Sequence, residues 1–467
     1  MVVSGRPASD GRSHRNSKGR APVSNPAGDV PGLAARMAAA RLLAAVIDAR
    51  TPLDGLTDAE NGHPQFRALE GRDRGLVRAI LTTALRFRVT IETMIGRQIE
   101  RPLPANATTL THILHVAAAQ ILFLDVPDSA AVDLAVTHAK GDPRTQRFAG
   151  LVNGVLRSVA RAKDRSPEKT LAATTDTPEW FRERLVNAYG AEEARAILAA
   201  HRYEAPFDFS VKDDPTGWAE KLGGFVLPTG SIRLANLPAS VPDLPGFAEG
   251  AWWVQDAAAA LPARLLGDVR GLRVADLCAA PGGKTAQIAL AGAQVTAVDL
   301  SKNRLARLET NLVRLGLAAQ TIQADLLSYQ PDEEFDATLL DAPCSSTGTV
   351  RRHPDVPWTK SPEDIAKLAD LQSRLLRRAL TMLKPGGTLV FSNCSLDPLE
   401  GEVVVREFLA ESRGVRLDPV RRDEIPGIES FVTPEGFLRT TPADFAFSEP
   451  GISGLDGFFA ARFVSTA

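Results

Sequence analysis

One stretch decides the fold of this chain, Ala275-Asp276-Leu277-Cys278-Ala279-Ala280-Pro281-Gly282-Gly283-Lys284-Thr285. Its pattern predicts an apolar strand, then a loop of small residues, then the start of a helix. Small residues let backbone amides come close to a ligand, and a helix start favours a negatively charged group. The stretch has neither the GxxxxGK(S/T) spacing of a Walker loop nor a GxGxxG fingerprint. It predicts a ligand-binding turn in an α/β sheet.

Two acidic residues follow the next two predicted strands. Asp299 ends the strand that begins at Gln294, and Asp325 ends the strand after it. An acid at the first position can accept both hydroxyls of a ribose, and the second position suits an adenine amino group. Together with the small-residue loop, these acids favour a cofactor that contains adenosine. The alternative is an ordinary tight turn between strand and helix, with acids that cap it.

From residue 251 onward, short apolar runs alternate with helical patterns, which is typical of an α/β sheet. The clearest helix covers about 363–383, and Lys384-Pro385-Gly386-Gly387 then predicts a turn. We predict a Rossmann-like domain over 251–467 with a mixed, mostly parallel sheet. Its strands are predicted at 272–278, 294–299, 320–325, 335–341 and 388–394.

The residues before this domain divide into four segments. Apolar residues at helical spacing, with prolines between the runs, predict an all-α domain over 33–162. Residues 163–175 are polar and predict a linker, and residues 176–250 predict a small α+β region. Residues 1–32 predict a disordered, basic tail, with an RNA-contacting arm or an organelle transit peptide as alternatives. Helical runs are predicted at about 73–99, 108–124, 129–140, 145–162 and 178–202.

The bulk composition restricts the class of protein. The chain has 467 residues, 44% of them hydrophobic and 24% charged, which is ordinary for a protein of several globular domains. No apolar run is long enough for a membrane span, and no signal-peptide pattern opens the chain. The net charge of −2 argues against a protein that coats nucleic acid. Three cysteines cannot all pair, so we expect no disulfide framework and a cytoplasmic location.

Two cysteines and an aspartate follow strands that we expect to be neighbours. Asp341 and Cys344 follow one strand, and Cys394 follows another. In a doubly wound sheet both strand ends lie at the carboxyl edge, where ligands bind. Carbon 5 of cytosine becomes nucleophilic when a thiolate adds to carbon 6, and an acid must then hold N3. The set predicts this chemistry, and the alternative is a pair of small cysteines in the core.

Several long motifs, in this order, resemble those of a known family. They are DLCAAPGGKT, DAPCSSTGTVRRHPD, FSNCSLDPLEGE and DGFFAARF, preceded by WWVQDAAAA at 252–260. These blocks resemble the signatures of the Sun-type, RsmB-like RNA cytosine-5 methyltransferases. DRGLVRAILTTALRFR and LVNGVLRSVA resemble the NusB-like RNA-binding domain that the bacterial branch carries. The resemblance covers about 33–467.

The resemblance implies S-adenosyl-L-methionine (SAM) as the cofactor and 5-methylcytosine in small-subunit (16S) ribosomal RNA as the product. It makes Cys394 the covalent nucleophile, Cys344 the residue that assists release, and Asp341 the partner of the ring near N3. We expect no bound metal and no membrane association, and we expect the protein to be a monomer. The residues implied to hold the cofactor are Cys278, Ala279, Ala280, Pro281, Gly282, Gly283, Lys284, Asp299, Asp325 and Asp341.

Some positions leave their roles open. Arg351, Arg352 and His353 are implied to contact RNA or to frame the pocket, and a solvated basic loop is the alternative. Asn393 stands where the family usually has Thr before the nucleophile, which puts the orientation of the thiol in doubt. Ser210-Val211-Lys212 departs from the Arg-Val-Asn sequence often found there, which weakens an RNA-contact role for the middle region.

Other functions remain as alternatives. Methylation of tRNA or another RNA is one, and a non-catalytic, NusB-like RNA-binding adaptor is the second. The intact set of Cys344, Cys394 and Asp341 speaks against an adaptor. A methyltransferase of DNA or protein is the third. DNA enzymes of this chemistry usually place the nucleophile in the Pro-Cys position and lack a NusB-like domain.

Overall fold

The structure, a computed structural model, describes residues 30–104, 106–163 and 167–466. Residues 1–29 of the predicted basic tail lie outside the described residues. The described residues form a helical domain, a small antiparallel sheet and a large mixed sheet, in that order along the chain. Among the helices described, none is long and apolar enough to cross a membrane.

The helical domain packs around one apolar helix, Thr108–Phe123, whose Ile113, Leu114 and Ala118 are buried. Five other helices of the domain pack against it. The run predicted over 73–99 forms two helices, because Phe87 leaves the helical region with φ of −111° and ψ of 29°. The helices are α1 (Leu33–Ala49), α2 (Leu53–Leu56), α3 (Pro64–Arg67), α4 (Gly71–Arg86), α5 (Arg88–Gly96), α6 (Thr108–Phe123), α7 (Asp128–Gly141) and α8 (Ala149–Ala162).

The segment predicted as a polar linker, 163–175, contains a helix instead. Helix α9 (Pro167–Ala173) packs on α5, and Thr170 accepts a hydrogen bond of 2.7 Å from Arg97. Asp176, just beyond this helix, accepts a backbone hydrogen bond of 2.7 Å from α5. The polar side chains of this segment are thus hydrogen-bond partners of the helical domain. Composition does not distinguish such a segment from a solvated linker.

A small antiparallel sheet follows the helical domain. Its elements are α10 (Glu179–Ala200), β1 (Phe207–Val211), α11 (Pro215–Leu222), β2 (Phe225–Val226), β3 (Ile232–Leu234) and β4 (Trp252–Val254). The strand order is β2-β3-β1-β4, and the rings of Phe209 and Trp252 pack edge to face with centroids 4.8 Å apart. The fourth strand lies beyond residue 250, so the predicted boundary there divides the sheet. Its pairing with β1 is a long-range contact that local patterning does not show.

The large sheet has eight strands with helices on its faces. Its elements are α12 (Leu261–Arg264), β5 (Arg273–Leu277), α13 (Gly283–Leu290), β6 (Gln294–Asp299), α14 (Lys302–Leu315), β7 (Gln320–Gln323), β8 (Phe335–Asp341), α15 (Val356–Thr359), α16 (Pro362–Leu380), β9 (Leu383–Asn393), α17 (Glu402–Glu411), β10 (Val415–Leu417), β11 (Leu438–Thr440) and β12 (Phe458–Ser465). The order is β7-β6-β5-β8-β9-β12-β10, and β11 also pairs with β12. The first five strands are parallel and β12 is antiparallel to β9. This confirms the predicted Rossmann-like fold. The strand order reverses at β5, which places the ligand crevice at the carboxyl ends of β5 and β8.

The start of β9 differs from the prediction. Helix α16 ends at Leu380, and the strand already begins at Leu383 rather than after the two glycines. The register against β8 is irregular here, because Leu383 pairs opposite Phe335 and the next pair is Thr388 with Ala337. The Pro-Gly-Gly residues thus form a bulge inside the strand. Regular pairing resumes toward Asn393, directly before Cys394.

A buried ion pair ties the small sheet to the end of the chain. The side chains of Arg233 and Asp208 have no exposed surface, and two guanidinium nitrogens donate to the carboxylate at 2.7 Å each. Arg233 also donates to the carbonyl oxygens of Ile452 and Gly454 at 3.0 and 2.7 Å. Removing one partner of such a pair leaves a buried charge without compensation.

We predict that Arg233→Met lowers the free energy of unfolding by about 3–5 kcal/mol, because Asp208 is then buried without its cation. The matched control is Arg416→Met, since Arg416 is largely exposed and lies 4.0 Å from Asp418. The control should lose less than about 1 kcal/mol. Urea unfolding of the full chain, followed by tryptophan fluorescence, measures both. Equal losses in the two variants contradict the prediction.

Candidate active site

The loop between β5 and α13 has the backbone conformation of a sharp, close-packed turn. Cys278 has φ of 62°, and Gly282 has φ of 101°. A Cβ on Gly282 would lie 2.6 Å from Cγ of Leu308, so only glycine fits there. Helix α13 begins at Gly283 without a side-chain cap, which leaves its first N–H groups for another acceptor.

The two acids that were predicted to contact the cofactor lie at the carboxyl edge of the sheet. The carboxylate of Asp299 accepts from the backbone N–H groups of Ala280 at 3.1 Å and Ser301 at 2.9 Å. It therefore holds the loop against β6, which agrees with the alternative of an acid that caps the turn. Asp325 lies in the exposed turn after β7 and accepts from the N–H of Leu327 at 3.0 Å. Contact of either acid with a cofactor stays a prediction.

A cavity of about 420 Å³ lies beside this loop, lined in part by residues 279–284, Trp253, Asp276 and Asp341. Asp276 is fully buried. One of its carboxylate oxygens accepts from Thr285 at 2.6 Å, and the other has no hydrogen-bond partner among the described residues. Burial raises the pKa of Asp276 to about 7. An unpartnered carboxylate oxygen next to a second carboxylate fits a positively charged ligand.

Asp276 is a site residue that the sequence analysis missed. It lies inside the quoted stretch, in an otherwise apolar strand, and an acid in such a strand was the signal that could have identified it.

Asp341 is held between two donors at the end of β8. Lys284 Nζ donates to one carboxylate oxygen at 2.8 Å, and Ser392 Oγ donates to the other at 2.9 Å. The Asp341 side chain is 30% exposed, so it remains open to a ligand. Lys284 Nζ also lies 4.9 Å from the centroid of the Phe458 ring. The structure therefore brings Lys284 and Asp341 together.

The two cysteines meet at the same edge of the sheet. The Sγ atoms of Cys344 and Cys394 lie 3.4 Å apart, and Cys394 Sγ lies 3.6 Å from Ser346 Oγ. A hydrogen bond from the Cys344 thiol lowers the pKa of Cys394, and the same contact together with burial raises the pKa of Cys344. The contact therefore favours loss of the proton from Cys394 rather than from Cys344. Burial raises the pKa of Cys278 to about 12, so that thiol stays protonated.

Asn393 shapes the turn around Cys394. Its Nδ2 donates to the carbonyl oxygen of Glu400 at 2.6 Å, and its Oδ1 accepts from the N–H of Ser395 at 3.0 Å. The side chain is buried, so water does not compete for these bonds. The asparagine that departs from the family pattern therefore makes two hydrogen bonds that hold the turn.

Two protein families match this chain. Residues 264–464 match the family described as 16S rRNA methyltransferase RsmB/F, and residues 33–161 match the NusB family. The chain is 35% identical over 422 residues to the ribosomal RNA small subunit methyltransferase B of Klebsiella pneumoniae. That match covers 86% of this chain and 92% of the relative. The chain belongs to the RsmB/F family.

Solved structures agree with this assignment at the level of the fold. The crystal structure of PH0851 has a TM-score of 0.69 at 24% identity and covers 93% of this chain and 99% of its own. A methyltransferase homolog protein from Pyrococcus horikoshii has a TM-score of 0.50 at 29% identity and covers 61% of this chain and 93% of its own.

As an RsmB/F protein, the chain is a SAM-dependent RNA methyltransferase with a NusB-like helical domain. SAM carries positive charge on its sulfonium and its ammonium group. The carboxylates of Asp276 and Asp341, which both line the cavity, fit that charge. The small-residue loop provides the close backbone approach that an adenosine-containing ligand needs.

The two arginines after Cys344 are held by partners inside the protein rather than facing solvent. Arg351 is 2% exposed and donates to the Ser453 carbonyl oxygen at 2.7 Å. Arg352 pairs with Asp256 at 2.7 Å and with Asp456 at 2.9 Å. The solvated basic loop considered as an alternative is therefore wrong for both arginines, because acidic and carbonyl partners lie on each side of them.

The NusB-like domain packs directly on this loop of the RsmB/F domain. The backbone N–H of Leu53 donates to Asp355 Oδ2 at 2.9 Å, and Arg86 Nη2 donates to the Arg351 carbonyl oxygen at 2.7 Å. Trp358 Nε1 donates to the carbonyl oxygen at position 85 at 3.2 Å. His353 completes the contact, 3.3 Å from a carboxylate oxygen of the helical domain. These partners lie far apart in the chain, so the sequence carried no signal for them.

We predict that Gly282→Ala lowers the affinity for SAM by about tenfold or more, because its Cβ would overlap Leu308 and displace the loop. The matched control is Gly316→Ala, which has φ of 61° but no neighbour within 4 Å of an added Cβ. The control also places alanine at a positive φ, there in the left-handed region and without the overlap, and should bind SAM as the wild type does. Isothermal titration calorimetry measures both affinities, and equal weakening in the two variants argues against the prediction.

We predict that iodoacetamide alkylates Cys394 at a lower pH than an ordinary thiol. Cys344→Ala should shift the midpoint of that pH profile upward, because the thiolate loses its hydrogen-bond donor. Mass spectrometry of the alkylated peptides gives the profile for each cysteine. Cys278 should stay unmodified at neutral pH, and Cys278→Ala should leave the Cys394 midpoint in place. A midpoint that does not move in Cys344→Ala shows that the thiol pair has no electrostatic effect.

Proposed function

We propose that this chain forms 5-methylcytosine in small-subunit ribosomal RNA through a covalent bond between Cys394 and carbon 6 of the cytosine. The observation that carries the proposal is the contact of two thiols, 3.4 Å apart, at the same sheet edge as Asp341. A lowered thiol pKa is what a nucleophilic cysteine needs. Two unrelated core cysteines would need neither the contact nor the nearby carboxylate.

The residues beside the cavity have the chemistry to hold SAM. We assign its binding to residues 278–284 with Asp299, Asp325 and Asp341, as the sequence predicted, and add Asp276 for the positive charge. When bound, SAM supplies an electrophilic methyl group for carbon 5 of the cytosine.

Cys394 and Asp341 share the activation of the ring. The Cys394 thiolate forms a bond to carbon 6, and the electron pair of the C5–C6 double bond becomes available at carbon 5. A proton shared between the Asp341 carboxyl and N3 offsets the negative charge that builds on the ring. Lys284 and Ser392 hold the Asp341 carboxyl from two sides, so its direction is set before the substrate arrives.

Cys344 acts when the product leaves. Carbon 5 gives up its proton to a base, its electron pair restores the C5–C6 double bond, and the bond from carbon 6 to Cys394 breaks. The Cys344 thiol lies in contact with the departing sulfur and donates to it, which stabilises the thiolate as a leaving group. For this role Cys344 needs only its contact with the sulfur of Cys394.

Two observations support ribosomal RNA as the substrate. The relatives are named ribosomal RNA small subunit methyltransferase B, and the helical domain matches the NusB family. The acidic partners of Arg351 and Arg352 leave the RNA contacts to other parts of the chain.

The experiment that tests the proposed function is bisulfite sequencing of total RNA from cells with and without the gene. One cytosine of small-subunit ribosomal RNA should lose its protection and regain it with the wild-type gene, but not with Cys394→Ala. Cys394→Ala should still bind SAM, since its side chain belongs to the nucleophile and not to the cofactor loop. An unchanged ribosomal profile with a lost mark in tRNA would identify a different RNA, and no lost mark at all would favour the adaptor.

We predict that Cys344→Ala forms the bond to RNA but releases it slowly, because the departing Cys394 thiolate lacks its donor. A denaturing gel with SAM and RNA should show a slowly migrating protein–RNA band in this variant. The double variant Cys344→Ala with Cys394→Ala is the control and should show none. A Cys344→Ala protein that gives no band and methylates at the normal rate would falsify the release role.

A further inference from the structure

A buried carboxylate that the proposed mechanism does not use lies between the two cysteine turns. Glu400 has no exposed surface and ends the short turn Pro398–Glu400 before α17. The four hydrogen bonds that its carboxylate accepts all come from uncharged donors. Burying a carboxylate without a cation costs free energy, and burial raises the pKa of Glu400 accordingly. A position that needed only volume would be filled more stably by an apolar residue.

The four donors use both carboxylate oxygens fully. The backbone N–H of Ser345 and Nε2 of Gln372 donate to Oε1 at 2.8 and 3.1 Å. The hydroxyl groups of Ser345 and Ser395 donate to Oε2, the second at 2.6 Å. Only an ionised carboxylate accepts at four points without offering a donor of its own. The surrounding groups are therefore arranged for this carboxylate.

These contacts join the two turns that carry the sulfurs. Ser345 directly follows Cys344, and Ser395 directly follows Cys394. Gln372 also donates to the carbonyl oxygen that precedes Cys344, at 3.0 Å. We propose that Glu400 is a positioning residue that sets the distance between the two sulfurs by bonding to both turns. The proposal rests on the roles proposed above for the two cysteines.

Glu400 acts through the turns, because among the described residues its carboxylate accepts hydrogen bonds from serine and glutamine and not from sulfur. Its negative charge also favours the protonated form of Cys344, which keeps the proton of the pair away from Cys394. Both effects favour loss of the proton from Cys394 while Cys344 stays protonated and in contact with it. A misplacement of about 1 Å in a reacting group can lower a rate by about a hundredfold. Loss of the carboxylate should therefore affect turnover more than cofactor binding.

The test compares Glu400→Gln with the wild-type full-length protein. Glutamine keeps the volume but places an amide NH2 where two hydroxyl groups donate, so the turns loosen. The first readout is the rate at which diamide oxidises Cys344 and Cys394 to a disulfide, measured as the loss of two hydrogens by mass spectrometry. We expect this rate to fall several-fold. The second readout is methyl transfer. Its kcat should fall by about tenfold or more, and the KM for SAM should change by no more than about twofold in either direction.

The matched control is Asp176→Asn. Asp176 is also a buried carboxylate that accepts from a backbone N–H and a hydroxyl, at 2.7 and 2.9 Å, but it lies beside α5 and, unlike Glu400, also pairs with an arginine, Arg202, at 3.1 Å. It should leave the disulfide rate and kcat unchanged. If circular dichroism shows that Glu400→Gln does not fold, Ser345→Ala and Ser395→Ala take its place. Each of them removes one hydroxyl hydrogen bond to Glu400. The disulfide rate and kcat should then fall in the same direction, but by less.

A wild-type disulfide rate and kcat in folded Glu400→Gln overturn the proposal, and so do equal losses in Asp176→Asn. Oxidation by diamide needs neither SAM nor RNA. A slowed disulfide rate therefore supports the positioning role even if the wild-type protein makes no 5-methylcytosine, so the two proposals can fail separately.

Discussion

The pairing of β8 with β9 is the constraint on which the rest of the site depends. The parallel register places Asp341 opposite Ser392, so both strands end at the same level. Backbone hydrogen bonds from Ala342 to Ser392 and from Gly348 to Cys394, at 2.8 and 2.9 Å, continue the ladder into the turns. A slip by one residue would turn every side chain of β9 to the other face. The contact between the sulfurs therefore depends on the core that fixes this register, which includes Phe391 and Leu340.

The charged side chains at the carboxyl edge of the large sheet indicate which kind of ligand this edge can bind. Two cationic side chains near this edge are already paired with acids: Lys284 with Asp341, and Arg352 with two other aspartates. Among the described side chains that line the cavity, one carboxylate oxygen of Asp276 and Nε of Arg314 are buried without a hydrogen-bond partner. Such a site suits a cationic cofactor more than the phosphates of RNA. With a net charge of −2 for the whole chain, the affinity for RNA must come from local surfaces, and the NusB-like domain is the part whose family is consistent with that.

Local patterns predicted the fold well where the relevant interactions are local. The strand, loop and helix around residues 275–285 and the alternation beyond them were visible as periodicity and small-residue turns. Local patterns did not show three elements, which are the helix over 167–173, the strand at 252–254 and the bulge in β9. Each of them depends on contacts with a distant part of the chain. The same limit applies to the site. Strand ends predicted which residues meet, whereas the role of Glu400 required knowing that two turns about fifty residues apart share one carboxylate.

The NusB-like domain is a structural part of the catalytic unit as well as a domain of an RNA-binding family. The loop after Cys344 contains Asp355, which is buried, and Trp358, which is half-buried, and both bond to the helical domain. Buried polar groups need partners, and no residue of the methyltransferase sheet supplies these two bonds. The helical domain thus completes the surroundings of a loop that begins at one of the two thiols. The position of the loop therefore depends on helices of the domain that matches the NusB family.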